Sequence, residues 1–528
     1  MLVRAACRIH AQPATVRRRS HQVFGGADCA FARLHRVVPL KLCILSSEIV
    51  PYAKTGGLAD VAGALLRELK ELGHDVRAFM PLYASVRRLH SELQPVPGLE
   101  NMGISIGPAS YAYSVQGTRF PGTEIPMFFI DCPEMFDRPA FYTFDADEHR
   151  RFLLFTRAAI ESCRHLGCVP DIFHVNDWHT AFLPLFLKTT YSSVPEFKHS
   201  RSVLTIHNIG YQGIMPAAAV ADLGLGRFEA RLDAADLARG LINPLKTGIN
   251  FADVVTTVSP TYAREICETP LGMGMQETLR KRRNGVVGIL NGVDYREWDP
   301  RHDPHLAEHF GPTDLRGKIA GKRRLANSIG LDLKPHQPLV GMVTRLAEQK
   351  GIDLLFDALP VLLQERDFGF LILGSGDDRY EVFFDDLQRR FKGRVVFRSG
   401  YDEPLAHLIE AGSDMFLMPS RYEPCGLNQM YSLRYGTIPI VRKTGGLADS
   451  VRHFDPSTGR GTGCVFNDYD APAVRWAVGT ALDWFADQTT WRRLMHNAMA
   501  EDFSWRSQTL KYERVYRDAA APTDSSKA

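Results

Sequence analysis

A seven-residue segment occurs twice in this chain, as Lys54-Thr-Gly-Gly-Leu-Ala-Asp60 and as Lys443-Thr-Gly-Gly-Leu-Ala-Asp449. Each copy follows a short apolar run, Lys41 to Ser47 for the first and Ile438 to Val441 for the second. The first copy leads into a helical pattern from Ala59 to Leu72, which Gly73 and His74 stop ahead of another apolar run, Asp75 to Met80. Strand, helix and strand at this spacing make a βαβ unit, which predicts a parallel sheet. Further strand patterns follow at Ile125 to Ile130, Ile172 to Val175, Val203 to Ile206 and Val254 to Val258, with helical patterns at Glu148 to Leu166 and Pro260 to Glu268.

The second half repeats this logic. Strands fit Leu339 to Val343, Phe370 to Leu373, Val395 to Phe397 and Met415 to Met418, with helices near Asp353 to Leu363, Tyr380 to Phe391, Leu405 to Ala411 and Leu427 to Tyr435. The fold class is therefore α/β, with two doubly wound Rossmann-like domains facing each other across a cleft. Residues 41–290 form the first domain, 291–300 the linker and 301–485 the second domain. Residues 486–518 are C-terminal helices that pack back on the first domain, and 519–528 are a disordered tail. Ligands of open α/β sheets bind beyond the carboxyl ends of the strands, so both copies of the heptapeptide are expected as equivalent loops at the cleft edge.

Composition narrows the function. With 528 residues the chain exceeds one compact core. A net charge of +3 gives no global field for nucleic acid or an anionic membrane, and no apolar run is long enough to span a bilayer. Nine scattered cysteines, without a Cys-x-x-Cys pair, read as reduced thiols in a cytoplasmic setting. Residues 1–40 carry seven arginines, at 4, 8, 17, 18, 19, 33 and 36, against the single acid Asp28. That segment reads as a plastid-type transit peptide or as a disordered or upstream-start extension, outside the fold in either case.

The chemistry-bearing stretches lie at strand ends. Lys54, Thr55, Gly56 and Gly57 precede a helix N-terminus, where free N–H groups, the helix dipole and an ammonium favour an anion. The loop is neither a Walker A nor a dinucleotide fingerprint. Arg345 closes one strand and Lys350 opens the next helix, two cations able to converge on a pyrophosphate. Leu373-Gly-Ser-Gly-Asp377 shapes the cleft wall, with Asp377 a solvated helix start or, less favoured, a metal ligand. Ser420-Arg-Tyr-Glu423-Pro-Cys-Gly426-Leu-Asn428 sets a carboxylate beside a helix terminus, which suits a sugar nucleotide. His174, Asp177 and His179 lack the spacing of a metal site, and with His207, Asn208 and Gln212 they fit hydrogen bonding to sugar hydroxyls better. For His174 a buried structural role is the alternative.

Taken together, Lys54-Thr-Gly-Gly-Leu, His174-x-x-Asp-Trp-His, His207-Asn, Ser259-Pro-Thr-Tyr-Ala, Asn291-Gly-Val-Asp, Arg345 to Lys350 and Glu423-Pro-Cys-Gly-Leu resemble bacterial and plastid glycogen and starch synthases in this order. The similarity spans roughly residues 41–518. It implies a GT-B fold and retaining transfer of glucose from ADP-glucose to the 4-OH of an α-1,4-glucan, with no metal or other cofactor. It implies catalytic roles for Glu423, His207, Arg345 and Lys350. It also implies a pocket completed by Lys54, Gly57, Asp60, Asp177, Asn208, Asn291, Tyr401, Cys425, Gly426, Leu427 and Asn428. The segment Gly272-Met-Gly274-Met departs from the family's usual Gly-Leu-Asp/Glu-Gly. Rival readings are a UDP-glucose user, another retaining GT-B transferase, or an inactive glucan-binding homologue.

Overall fold

The computed structural model describes residues 38–143, 145–334 and 336–521. Residues 1–37 of the expected leader and 522–528 of the expected tail lie outside them. From Leu40 onward the chain clusters as one compact unit holding a ten-stranded and a six-stranded sheet. Apolar runs such as Leu42–Leu45, Gly369–Leu373 and Met415–Met418 are buried throughout, as strands covered on both faces must be.

In the first sheet Lys41–Leu45 pairs in parallel with Asp75–Pro81 on one side and with Ile172–Asn176 on the other. Pro126–Asp131 extends the first side, while Arg201–Ile206, Val254–Thr257 and Val287–Gly288 extend the second. The second sheet runs Val395–Arg398, Gly369–Leu373, Leu339–Val343, Met415–Met418, Ile438–Arg442, Cys464–Phe466, all parallel. Each sheet thus reverses its winding once, beside Lys41–Leu45 in the first and beside Leu339–Val343 in the second. The loops leaving the two central strands part at these points and open a crevice.

Sequence patterning missed an antiparallel edge. Met102–Ile106 and Ala109–Arg119 form a hairpin, and the second of these strands pairs antiparallel to Pro126–Asp131. The linker is also more structured than its turn residues suggest. Trp298 lies between the rings of His407 and Tyr431, at 3.6 and 3.9 Å between centroids, which pins the crossing segment to the second domain.

The C-terminal helices need two corrections. Gln488–Met499 stays with the second domain, where Asn497 Nδ2 donates to the carbonyls of Gly459 and Gly461. Only Trp505–Ala520 returns to the first domain, where Tyr516 Oη and His174 Nδ1 are 2.8 Å apart. That helix runs to Ala520, into the span expected as tail. The returning segment passes beside the linker: Val293 N donates to Phe503 O at 2.7 Å, and a Cβ on Gly292 would lie 2.6 Å from Trp505 Cα.

Candidate functional site

At the first reversal the loop after Lys41–Leu45 is braced by Glu48. This buried carboxylate accepts from Thr55 N, from Thr55 Oγ1 at 2.7 Å and from Tyr142 Oη at 2.5 Å. Lys54 is left exposed, 2.9 Å from Asp60. Burial works against the Lys54 charge, yet Asp60 outweighs it and raises the pKa. Desolvation dominates at Asp60, whose carboxyl is raised although Lys54 opposes the shift.

The neighbouring strand Ile172–Asn176 delivers Asp177 with φ at 53°, a strained conformation for a residue with a side chain. Burial pushes its carboxyl up to about 7, against the pull of backbone N–H groups of His207 and Asn208. Burial also holds His207 neutral, with its pKa lowered to about 3. Its tautomer follows from its neighbour. Asn176 Nδ2 donates to Leu45 O at 2.9 Å, so Asn176 Oδ1 faces His207 Nε2, also at 2.9 Å. Nε2 therefore carries the proton, and Nδ1 is left as an acceptor.

At the second reversal Lys350 Nζ and Ser420 Oγ both bind Glu423 Oε2, at 2.6 and 3.0 Å. Arg345 is exposed and reaches Gln349 Oε1 at 3.4 Å. Glycines make this packing feasible. A Cβ on Gly374 would stand 1.9 Å from Thr344 O, and one on Gly351, at φ 68°, would stand 2.0 Å from Pro419 O. Asn428 spends its side-chain amide on Val343 O at 2.7 Å, which ties the helix start to the strand that carries Arg345. Cys425 is buried, and desolvation pushes its thiol up to about 12, so its side chain is inert and its backbone is what the loop can offer.

The two sides meet. Ser259 Oγ donates to Pro424 O at 2.7 Å, a Cβ on Gly210 would stand 3.1 Å from Asn208 Oδ1 and 3.6 Å from Tyr422 Oη, and one on Gly57 would touch Leu427 at 3.8 Å. Lys54 also interacts electrostatically with Tyr401, which is 67 % exposed. These contacts bring Gly57, Asn208 and Ser259 of the first domain against Leu427, Tyr422 and Pro424 of the second.

Several expectations fail. The second heptapeptide is no cleft-edge loop equivalent to the first: Thr444, Gly445 and Gly446 are buried. Gly445 N donates to the Glu265 carboxylate of the first domain at 3.1 Å, and Thr444 Oγ1 adds a bond of 3.0 Å. Thr261 N and Oγ1 each donate to Asp449 at 2.7 Å. The second copy is thus an interdomain clasp. It also supports the Glu423 loop from behind, through Gly446 N donating to Glu423 O at 3.0 Å.

His174 lies buried between Thr205 Oγ1 and Tyr516 Oη, at 2.6 and 2.8 Å, so its role is structural. Gln212 is spent on Ile209 O, Met273 O and Asn243. His179 stacks on Tyr142 at 4.9 Å. Asp377, by contrast, is the solvated helix start favoured from sequence: it is exposed and caps the helix Asp378–Arg390. Sequence reasoning missed Glu48, Tyr142 and Tyr422 as site residues. Glu48, a carboxylate just past a central strand, carried a usable signal, as did Tyr422 beside Glu423. Tyr142 sits in irregular chain with no periodic signal.

Comparison with known proteins adds independent findings. Residues 41–281 match the family described as the starch synthase catalytic domain, and residues 326–488 match glycosyl transferases group 1. A glycogen synthase from Anaeromyxobacter dehalogenans (strain 2CP-1) is 45 % identical over 486 residues, covering 91 % of this chain and 99 % of the relative. One from Koribacter versatilis is 44 % identical over 492 residues, covering 91 % and 98 %. Among solved structures, the catalytic domain of starch synthase IV from Arabidopsis thaliana, bound to ADP and acarbose, superposes with a TM-score of 0.83 at 34 % identity, covering 91 % of this chain and 99 % of that one. Sucrose-phosphate synthase from Thermosynechococcus elongatus, at 18 % identity and a TM-score of 0.57, shares the fold.

Proposed function

We propose that this chain, which belongs to the glycogen and starch synthase family, takes glucose from ADP-glucose held between the Arg345–Lys350 loop and the Lys54 loop. The chain is a glucosyltransferase that adds glucose to an α-1,4-glucan, built on the GT-B fold. The observation that carries the site reading is the Lys350–Glu423–Ser420 arrangement at the second reversal, with Arg345 exposed beside it. The solved relative bound to ADP and acarbose supports a nucleotide and a glucan-like ligand for this cleft.

In this reading Arg345 and Lys350 hold the diphosphate and stabilise the charge that grows on it as the anomeric C–O bond breaks. Glu423 has Oε2 committed to Lys350 and Ser420, so Oε1 is what it offers to sugar hydroxyls. A double displacement needs a free carboxylate beneath the anomeric carbon, and a carboxylate held this way suits that role poorly. We therefore favour front-face transfer. The acceptor 4-OH oxygen bonds to the anomeric carbon on the face the diphosphate leaves, and its proton passes to the departing diphosphate. His207, neutral and with Nδ1 free to accept, positions a glucose hydroxyl, and Lys54 completes the donor site from the first domain. No helix of the described residues is long and apolar enough to cross a membrane, and we place the enzyme in the cytoplasm.

Initial rates on a glycogen primer test the reading. ADP-glucose should exceed UDP-glucose by about tenfold or more in kcat/KM, a gap of about 1.4 kcal/mol. Arg345→Ala or Lys350→Ala should lower kcat about 10²-fold. Equal use of both donors would overturn the donor assignment, and full activity of Arg345→Ala would remove the diphosphate clamp. A glucosyl adduct on Glu423 in intact-mass spectra would overturn front-face transfer.

A further inference from the structure

We propose that Glu297, Glu403 and the Nε2 nitrogen of His407 form a binding site for a transition-metal dication of the zinc class, beside the Lys54 loop. The two carboxylates and a ring nitrogen of His407 lie within 4.8 Å of one another. Glu403 and His407 stand four residues apart on the helix Glu403–Gly412, so both project from one face. Glu297 comes from the linker, one residue before the Trp298 that stacks on the His407 ring.

His407 is what separates this cluster from an ordinary group of surface acids. Its side chain is fully buried, and Nδ1 lies 2.8 Å from Asp303 Oδ2. Asp303 also accepts from Tyr435 Oη at 2.5 Å, so the carboxylate is itself held in place. With Nδ1–H donated to Asp303, Nε2 is the bare acceptor, and among the described residues it has no hydrogen-bond partner. A carboxylate that orients an imidazole so that its far nitrogen faces outward is the usual outer shell of a metal-bound histidine. Trp298, stacked at 3.6 Å, further fixes the ring plane.

The donor set selects the metal. One imidazole and two carboxylates suit zinc-like dications, whereas magnesium and calcium prefer oxygen alone. Metal–ligand bonds of about 2.0–2.2 Å set donor atoms about 3–4 Å apart, a spacing compatible with the 4.8 Å limit within which the three donors lie. Glu297 and Glu403 are exposed side chains that can adjust, while His407 is the fixed member. Occupancy would join the linker to the second domain beside Lys54 and Asp60, whose charges already interact with these acids.

The test uses the full chain without an affinity tag, titrated with Co²⁺ and followed by its visible absorption, then displaced with Zn²⁺. One equivalent should bind, with bands of nitrogen and oxygen ligation. Glu297→Gln and Glu403→Gln should each weaken binding about tenfold or more, with the metal-free melting temperature unchanged. His407→Gln should abolish binding, and circular dichroism checks that it folds. Absence of stoichiometric binding, thiolate charge-transfer bands, or unchanged affinity in both glutamate variants would each overturn the assignment.

Discussion

Lys54-Thr-Gly-Gly-Leu-Ala-Asp60 and Lys443-Thr-Gly-Gly-Leu-Ala-Asp449 share every side chain, yet the first exposes residues 54 to 57 while the second buries 444 to 446. In each copy the threonine hydroxyl and a nearby N–H receive a carboxylate. Glu48 comes from the same domain and sits on Thr55, which braces the loop and leaves Lys54 facing the cleft. Glu265 comes from the other domain and fills the second loop, which becomes a joint. The aspartates diverge in the same way: Asp60 pairs with Lys54, whereas Asp449 receives Thr261. A glycine-rich helix start is thus a general anion receptor, and its surroundings decide whether the anion is a substrate or part of the protein.

The largest expected effect separates the glycines. Gly445 has φ 43°, and a Cβ there would lie 1.8 Å from Glu423 O, whereas one on Gly56 would meet nothing within 4 Å. Gly445→Ala should cost about 3 kcal/mol in urea unfolding and disable transfer by displacing the Glu423 loop. Gly56→Ala should stay within about 0.5 kcal/mol of the parent. Equal losses in the two would show that the copies are strained alike.

The lysines come next. Lys54→Ala should raise the KM for ADP-glucose about tenfold, a loss of about 1.4 kcal/mol, with little change in melting temperature. Lys443→Ala should leave both quantities unchanged. An effect of Lys443→Ala on donor KM would return the second copy to the cleft.

Removing the internal anion should act on stability. Glu265→Ala leaves the Gly445 N–H and the Thr444 hydroxyl without their acceptor, at a cost of about 2–3 kcal/mol in chemical denaturation. A neutral result would mean that water replaces the carboxylate.

The smallest effect is a tilt with pH. Burial raises the Glu265 carboxyl although Gly445 N–H and Thr444 pull it down. A raised carboxyl makes the folded state bind more protons than the unfolded state, so stability falls as pH rises through the window above the ordinary glutamate value. Glu265→Gln keeps an acceptor and removes the charge, so it should lie within about 1 kcal/mol of the parent. Relative to the parent it should fare better at pH 8 than at pH 5. The opposite tilt in melting temperature would show that the clasp needs the charge.

Much of this was legible in the chain. Buried parallel strands are continuous apolar runs, so Leu339 to Val343 and Met415 to Met418 declare themselves, and their order already places Arg345, Lys350 and Glu423 at strand ends. The hairpin 102–119 stayed hidden because Gly103, Gly107 and alternating polar residues blur an edge strand. Tyr142 stayed hidden because a side chain in irregular structure has no period to betray it.

Sequence alone determined the two α/β sheets, the family and the cations that follow the strand Leu339–Val343, because hydrophobic periodicity and strand-end chemistry are local properties. Only the tertiary structure decided which copy of an identical heptapeptide stays open, which nitrogen of His207 carries the proton, and that His174 is a strut for Tyr516. Each of those depends on a partner far away in the chain, 179 residues in the case of Glu265 and Thr444 and 342 for His174 and Tyr516. No local pattern encodes a contact whose value lies in the desolvated group waiting on the other side.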